Sequence, residues 1–285
     1  MPELAEVELS RRVWQIATGE AICKVDGHPK TRIYRDCSLA SLKVYLKGKN
    51  LLSSHTHGKR MFYKFGATKG SKYSAVRWLE LHLGMAGRLT RGAPSEGSHK
   101  HDHFVLKTKN WRLNFNDYRQ FGRVYLHPKG VDPLAALPIE ILAPKFTSAH
   151  VDTICEKRVK RSLKGVLLDQ LYFPGVGNWM ADEICWRMGR DPATPLGEVD
   201  SKSVWKETRM VARGAMRHVA DANSNQFGSS KGFRPGNYVH RVPPKSWLFQ
   251  HRWNPGGQCP QCKAVLLRGV VATRTTAWCG ICQPN

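Results

Sequence analysis

From its first residues, the chain spaces apolar side chains at Leu4, Val7, Val13 with Trp14, and Ile16. That suits one face of a helix from Pro2 to about Thr18, ended by Gly19. The period then changes. Between residues 20 and 127 the runs AVRWLELHL (75–83), HFVLKTK (103–109) and GRVYL (122–126) alternate or stay apolar for a strand's length. Gly, Asn and Lys turns break them, which predicts a region of strands with one short helix near Ser38–Leu46. RGAPSEGSHKHDH (91–103) has no core pattern and reads as a polar loop, and residues 128–150, with four prolines, read as a linker. Helical spacing follows over about 151–163, 165–173, 179–188 and 202–222. The tight FPGVGN turn (173–178) joins the second and third of these, with Asn178 placed to cap the helix after it. A Gly/Ser-rich stretch (223–237) and a cysteine-rich tail close the chain.

This pattern predicts an α+β multi-domain protein. A β-rich domain with an N-terminal helix occupies 1–133, a linker 134–150 and a helical domain 151–224. A loop and metal-knotted tail fill 225–285. The length, 285 residues, suits about two domains, and 41% hydrophobic with 24% charged residues excludes a wholly disordered chain. No run approaches the ~18 apolar residues of a membrane span. The start, MPELAEVE, lacks the apolar region of a secretory signal, so an intracellular location is expected.

Charge changes the picture most. Lys and Arg number 45 against 22 Asp and Glu, a net +23. That excess fits a polyanionic partner, with nucleic acid ahead of an anionic membrane, because no basic amphipathic helix adjoins an apolar anchor. A solvated basic surface is the bland alternative. Eight cysteines fall into two groups: Cys23, Cys37, Cys155 and Cys185 are scattered, whereas Cys259, Cys262, Cys279 and Cys282 form two CxxC pairs separated by 16 residues. Without a secretory signal, such pairs read as four thiolates around one structural Zn²⁺ rather than as disulfides. The gap suits a hairpin of strands 265–267 and 270–272 turning at Arg268-Gly269, which would aim Arg268 and Arg274 at phosphate.

Proline at position 2 invites removal of Met1, which would expose a secondary amine able to attack an electrophilic carbon, with Glu3 beside it as general acid–base. The ordinary meaning of Pro2 is a helix start. Other segments change that balance. PELAEVE (2–8), HLGMAGRL (82–89), KHDH (100–103), NDYRQFGR (116–123), GVGNWMADE (175–183) and the CxxC tail occur in one order. Over essentially its whole length, the chain resembles the formamidopyrimidine-DNA glycosylase/endonuclease VIII family, and the purine-type members more closely.

The resemblance implies an N-terminal β-sandwich, a helix–two-turn–helix domain and a C-terminal zinc finger. It implies a monomer that clamps double-stranded DNA carrying a damaged base or abasic site, flips the base out, cuts the N-glycosidic bond and nicks the strand by β,δ-elimination. Pro2 matches the nucleophile at C1′ and Glu3 the acid–base residue that helps open the sugar. Glu6 matches a further acidic position on that helix. Lys59 matches a lysine near the lesion and its phosphate, with Lys64 an alternative assignment. His82 resembles a phosphate contact. Met85, Arg119 and Phe121 match side chains that fill the space left by the base. Asn178 matches a phosphate grip at a helix start, and Arg274 the zinc-finger arginine that contacts phosphate.

The chain also departs from the pattern. Purine-type members usually carry DPRRFG where this chain has DYRQFG, so Gln120 replaces an arginine. SNQFGSSKGFRPGNYVH (224–240), where a lesion-capping loop is expected, matches only loosely, and QHRWNPGGQC replaces the usual Tyr-Gly-Arg phrase before the finger. Three alternatives stay open: an oxidised-pyrimidine glycosylase of the endonuclease VIII type, a non-catalytic zinc-finger DNA-damage-binding protein, and an RNA-binding zinc-ribbon protein. An intact Pro2-Glu3 pair argues against a pure DNA binder, and the acidic first helix is unexplained by RNA binding.

Overall fold

The computed structural model describes residues 2–67, 76–224 and 242–284. Met1 and the expected lesion-capping segment 225–240 lie outside the described residues. The chain divides into two compact units. Of the described residues, one unit holds Pro2, Glu6–Leu137, Asn223 and Ser224, and the other holds Glu3–Ala5, Pro138–Ala222 and the tail from Val242.

Helix α1 (Leu4–Gln15), which belongs to the first unit from Glu6 onward, is followed there by β1 (Lys24–Gly27), α2 (Leu39–Leu46), β2 (Asn50–His57), β3 (Arg60–Gly66) and β4 (Arg77–His82). Strands β5 (Arg88–Gly92), β6 (Asp102–Lys107), β7 (Arg112–Asn116) and β8 (Arg123–Leu126) complete it. They form two four-stranded antiparallel sheets, ordered β1-β6-β7-β5 and β2-β3-β4-β8. The expected short helix is α2: Ser38 caps it and shares a reciprocal capping box with Ser41. The first helix is shorter than expected, because turns take the chain over residues 16–19 and Gly19 then adopts φ +91°.

Trp14 of α1 is fully buried and touches both sheets. Its ring lies 5.3 Å from Tyr63 on β3 and 6.1 Å from Phe104 on β6, and its indole N–H donates to the Thr90 carbonyl on β5. Glu8 ties the same helix to β2: its carboxylate accepts from Thr56 Oγ1 at 2.9 Å and pairs with Arg11, which in turn donates to Ser54 Oγ at 2.7 Å. An aromatic plug and an ionic strut thus fix α1 against the strands.

The second unit contains α3 (Ser148–Lys157), α4 (Leu163–Leu167), α5 (Asn178–Arg187), α6 (Ser201–Ala215) and a hairpin of β9 (Leu267–Val271) with β10 (Arg274–Trp278). Four helices were expected here, and their limits need correction. Thr147 caps α3 three residues earlier than the apolar spacing suggested, and a turn at Arg158–Arg161 ends it by Lys157. The expected helix over 165–173 is the single turn α4. Residues 168–176 then fold on the Gln170 side chain, which donates to the Leu168 and Val176 carbonyls and accepts from Gly175 N–H. Helix α6 loosens into a π-turn over Met216–Asp221. Among the described residues, no helix is long and apolar enough to cross a membrane.

Candidate nucleic-acid interface

In the first unit, strand register gathers several of the expected residues at one end of a sheet. Gly58 and Lys59 form the two-residue turn of the β2–β3 hairpin, with Gly58 at φ +56° as such a turn requires of its first residue. Arg60 then pairs with His82 at the end of β4, and His82 pairs with Arg123 at the start of β8. Lys59, His82 and the loop leading into β8 therefore share one end of the sheet, whereas Lys64 lies further along β3, opposite Trp78. His82 Nδ1 accepts from the Gly84 amide at 3.0 Å, which leaves the ring proton on Nε2. Burial, and then the Lys59 ammonium, hold this imidazole below its ordinary pKa, in its neutral form.

Two loops meet beyond His82. Gly84 has φ +61°, and a Cβ there would overlap the Phe121 carbonyl group, so only glycine lets the loops approach. In the second loop, the fully buried Asp117 carboxylate accepts from the Arg119 and Gly122 amides. The exposed products are Met85 (46%), Phe121 (43%) and Arg119, whose guanidinium lies 4.7 Å from the Phe121 ring centre. Two large apolar side chains and a stacked cation thus stand out from a basic molecule. Pro2 is half-buried, and Glu6 lies in the first turn of α1.

In the second unit, the start of α5 organises a further set. Gly177 is its N-cap and offers no side chain, so the expected capping by Asn178 is corrected: Asn178 is the first helical residue. The cap is Glu3. Its buried carboxylate accepts from Gly177 N–H at 2.9 Å, Trp179 N–H at 2.9 Å and Met180 N–H at 3.1 Å, while Leu4 N–H donates to the Gly175 carbonyl. A carboxylate, acceptor-only and anionic, suits three donors at a helix N-terminus. Asn178 instead donates through Nδ2 to the Thr275 carbonyl at 2.8 Å, next to the exposed Arg274.

The hairpin differs from expectation in register. Its turn is Ala272-Thr273, both at positive φ (49° and 62°), not Arg268-Gly269. Arg268 therefore lies within β9 and donates to the Arg252 carbonyl at 2.6 Å. Beneath the hairpin is a buried ionic group with no signal in the sequence pattern. Asp182 pairs with Lys164 at 2.6 Å and with Arg252 at 2.5 Å, and accepts from Ala277 N–H at 3.1 Å; Lys164 also donates to Thr276 Oγ1.

Cys259, Cys262, Cys279 and Cys282 place their sulfurs within 4.8 Å of one another. Two of the separations are 3.8 Å and 3.4 Å. A tetrahedral Zn²⁺ with Zn–S near 2.3 Å needs sulfurs about 3.8 Å apart, so the donor set fits such an ion. Trp186 Nε1 and the Cys282 amide donate to the Cys259 and Cys279 sulfurs, as partners of metal thiolates do.

Residues 1–124 match the formamidopyrimidine-DNA glycosylase N-terminal domain, and residues 137–226 match the H2TH domain of the same enzymes. The formamidopyrimidine-DNA glycosylase of Roseiflexus sp. is 31% identical over 99% of this chain and 100% of its own length. That of Chloroflexus aurantiacus is 34% identical over 72% of each. The chain belongs to the formamidopyrimidine-DNA glycosylase family. The fold agrees: a Lactococcus lactis Fpg solved with DNA containing N7-benzyl-Fapy-dG superposes with a TM-score of 0.81 at 23% identity, covering all of both chains. The same enzyme has been solved with DNA containing an abasic site (TM-score 0.80) and with DNA containing an oxidised pyrimidine (0.81). Membership of this glycosylase family makes DNA repair the setting in which the Pro2 and Glu3 ends of α1 are to be understood.

Proposed function

We propose that the chain is a bifunctional DNA glycosylase and abasic-site lyase of base excision repair. It removes oxidised purines, 8-oxoguanine and formamidopyrimidines, from duplex DNA and carries one structural zinc. The observation that carries this reading is the anchoring of Glu3 by three backbone amides at the start of α5. The same three bonds that cap α5 hold residue 3 in place, and Pro2 is one peptide bond away.

With Met1 removed, the Pro2 nitrogen lone pair attacks C1′ of the damaged nucleotide and the N-glycosidic electron pair leaves with the base. The proton shed by the Pro2 nitrogen is taken by the Glu3 carboxylate and passed to O4′ as the C1′–O4′ bond opens to an iminium. Loss of a C2′ proton expels the 3′ phosphate; a second elimination expels the 5′ phosphate, and water releases the sugar remnant from the proline.

Lys59 and His82, through its Nε2 proton, bind the phosphates beside the lesion. Met85 and Phe121 fill the vacated stack and Arg119 hydrogen-bonds the orphaned partner base, recovering part of the few kcal/mol that extrusion costs. Asn178 and Arg274 grip backbone phosphate from the second unit. Cys259, Cys262, Cys279 and Cys282 would hold a zinc whose contribution would be structural, stabilising the hairpin that bears Arg274.

Borohydride trapping on duplexes carrying 8-oxoguanine, dihydrouracil or a bare abasic site tests the reading. A covalent complex on the 8-oxoguanine duplex in preference to the dihydrouracil duplex is expected. Trapping on the abasic site alone would remove the glycosylase half. No complex on any duplex, with Met1 absent by mass spectrometry, would overturn the enzyme reading.

A further inference from the structure

The loop that carries Arg119 and Phe121 is held on both sides. Inside, Asp117 accepts from the Arg119 and Gly122 amides. Outside, Gln120 turns away from its neighbours: its backbone enters the left-handed region at φ +54°, a conformation that a residue with a side chain rarely adopts. Its Oε1 accepts from Thr31 Oγ1 at 3.1 Å and from the Arg32 amide at 3.0 Å, and its own N–H donates to the Asp117 carbonyl at 3.1 Å. The segment it grips is itself fixed, because the buried Ile33 accepts from Val124 N–H through its carbonyl. Gln120 is half-buried, and its side-chain oxygen is engaged by the 31–32 segment, whereas Arg119 and Phe121 beside it are exposed.

From this geometry we infer that Gln120 is a positioning residue. It pins the Asp117–Gly122 loop to Thr31 and Arg32, and thereby sets how Arg119 and Phe121 are presented to the helical stack during base extrusion. The resemblance made Gln120 the loss of a cationic contact; the hydrogen bonds make it the gain of an acceptor. An arginine or lysine at this position has no acceptor for the Arg32 amide and could meet the Thr31 hydroxyl only as a donor. With its backbone left-handed, the residue that follows Arg119 is bonded to the 31–32 segment. The pin rests on the glycosylase reading for its consequence in catalysis, but its geometry stands apart from it.

Two substitutions give opposite expectations. In Gln120→Glu the carboxylate is still an acceptor for both donors, so the pin is kept although a negative charge is added near DNA. In Gln120→Lys the acceptor is lost although a positive charge is gained. Single-turnover removal of 8-oxoguanine should stay within about twofold of wild type for Q120E and fall about fivefold for Q120K, the loss of the Arg32 hydrogen bond converted to rate. Cleavage of a duplex that already contains an abasic site, where no base need be extruded, should be retained by both and also reports folding. Amide hydrogen exchange at Arg32 should be slow in wild type and Q120E and fast in Q120K.

If Q120K matches or exceeds wild type while Q120E is impaired, Gln120 is a DNA-facing surface residue and the inference is overturned. Equal activity and equal exchange in all three proteins overturn it as well. If wild type removes no base, the glycosylase reading fails by itself and the Arg32 exchange decides the pin. Gln120→Gly, which accepts positive φ without strain but has no side chain, should behave like Q120K and so separates the pin from the backbone conformation.

Discussion

Replacing Gly177 by alanine isolates the anchoring of Glu3 from every other feature of the α5 start. Gly177 has φ −122°, which any residue adopts, so alanine brings no backbone strain. What it brings is a Cβ that would overlap the Glu3 carboxyl group and lie 2.5 Å from its Cγ. The carboxylate is the end of a rotatable side chain and is the part that gives way. Leaving, it breaks three charge-assisted hydrogen bonds of 2.9–3.1 Å and strands the amides of Gly177, Trp179 and Met180 at a buried helix start. Losing a charged acceptor from a buried helix start costs about 2–3 kcal/mol. In a Glu3→Ala background no carboxylate is left to collide with. There Gly177→Ala should cost no more than about 1 kcal/mol, the ordinary preference of an N-cap for glycine over alanine. Urea unfolding followed by circular dichroism, run on both single variants and the double variant, yields the coupling as a double-mutant cycle. Amide exchange at Trp179 and Met180 locates it. Borohydride trapping should fall with the stability, because Glu3 is then misplaced. An equal cost of Gly177→Ala with and without Glu3 would refute the collision and the anchoring built on it.

Other outcomes follow from the same residues. Pro2→Gly should abolish base removal, read by strand cleavage, while duplex binding by fluorescence anisotropy changes less than about threefold, since one small side chain carries little of an electrostatic interface. Arg274→Ala should weaken duplex binding for all sequences alike and lower the slope of log K against log salt by about 1, one phosphate contact fewer. Burial raises the Glu183 carboxyl to about 7 against 4.5 for the free side chain, in spite of Arg187 and the Phe249 amide. The folded chain then keeps a proton that the unfolded chain releases, so this group's stability contribution is present below about pH 4.5 and is lost as pH rises to about 7. Denaturation midpoints measured across that window should flatten in Glu183→Gln. Cys262→Ser should lower zinc content below one per chain by elemental analysis and lower the melting temperature of the second unit, as loss of one thiolate from a four-thiolate site does.

Much of the site could be read from the sequence wherever one short segment carries its own reason. Two CxxC pairs specify a thiolate cluster by spacing alone, and Ser38 with Ser41 marks the start of α2 locally. The rest depended on distant partners. Nothing near residue 3 says that its carboxylate caps a helix 174 positions away, so Asn178, the polar residue at hand, is the cap that local reasoning selects. The hairpin turn misled for another reason. Ala272 and Thr273 occupy left-handed positions that normally favour glycine or asparagine, so the glycine at 269 drew the turn to itself. Gln120 read as a lost arginine because sequence shows which group is present and not where it points.

Asp182 has a consequence for anyone who would treat the cysteine-bearing tail as a detachable part. One carboxylate receives Lys164 from α4, Arg252 from the approach to the first CxxC pair, and the Ala277 amide within β10. A truncated protein ending before residue 242 would leave Lys164 and Asp182 facing each other with the other half of their enclosure gone. A tail grafted from a distant relative would arrive without knowing whether its host supplies them. Exchange of this finger between homologues therefore has to carry Lys164 and Asp182 along with it, so the unit of inheritance is a patch of contacts that the linear order of the chain scatters over more than a hundred positions.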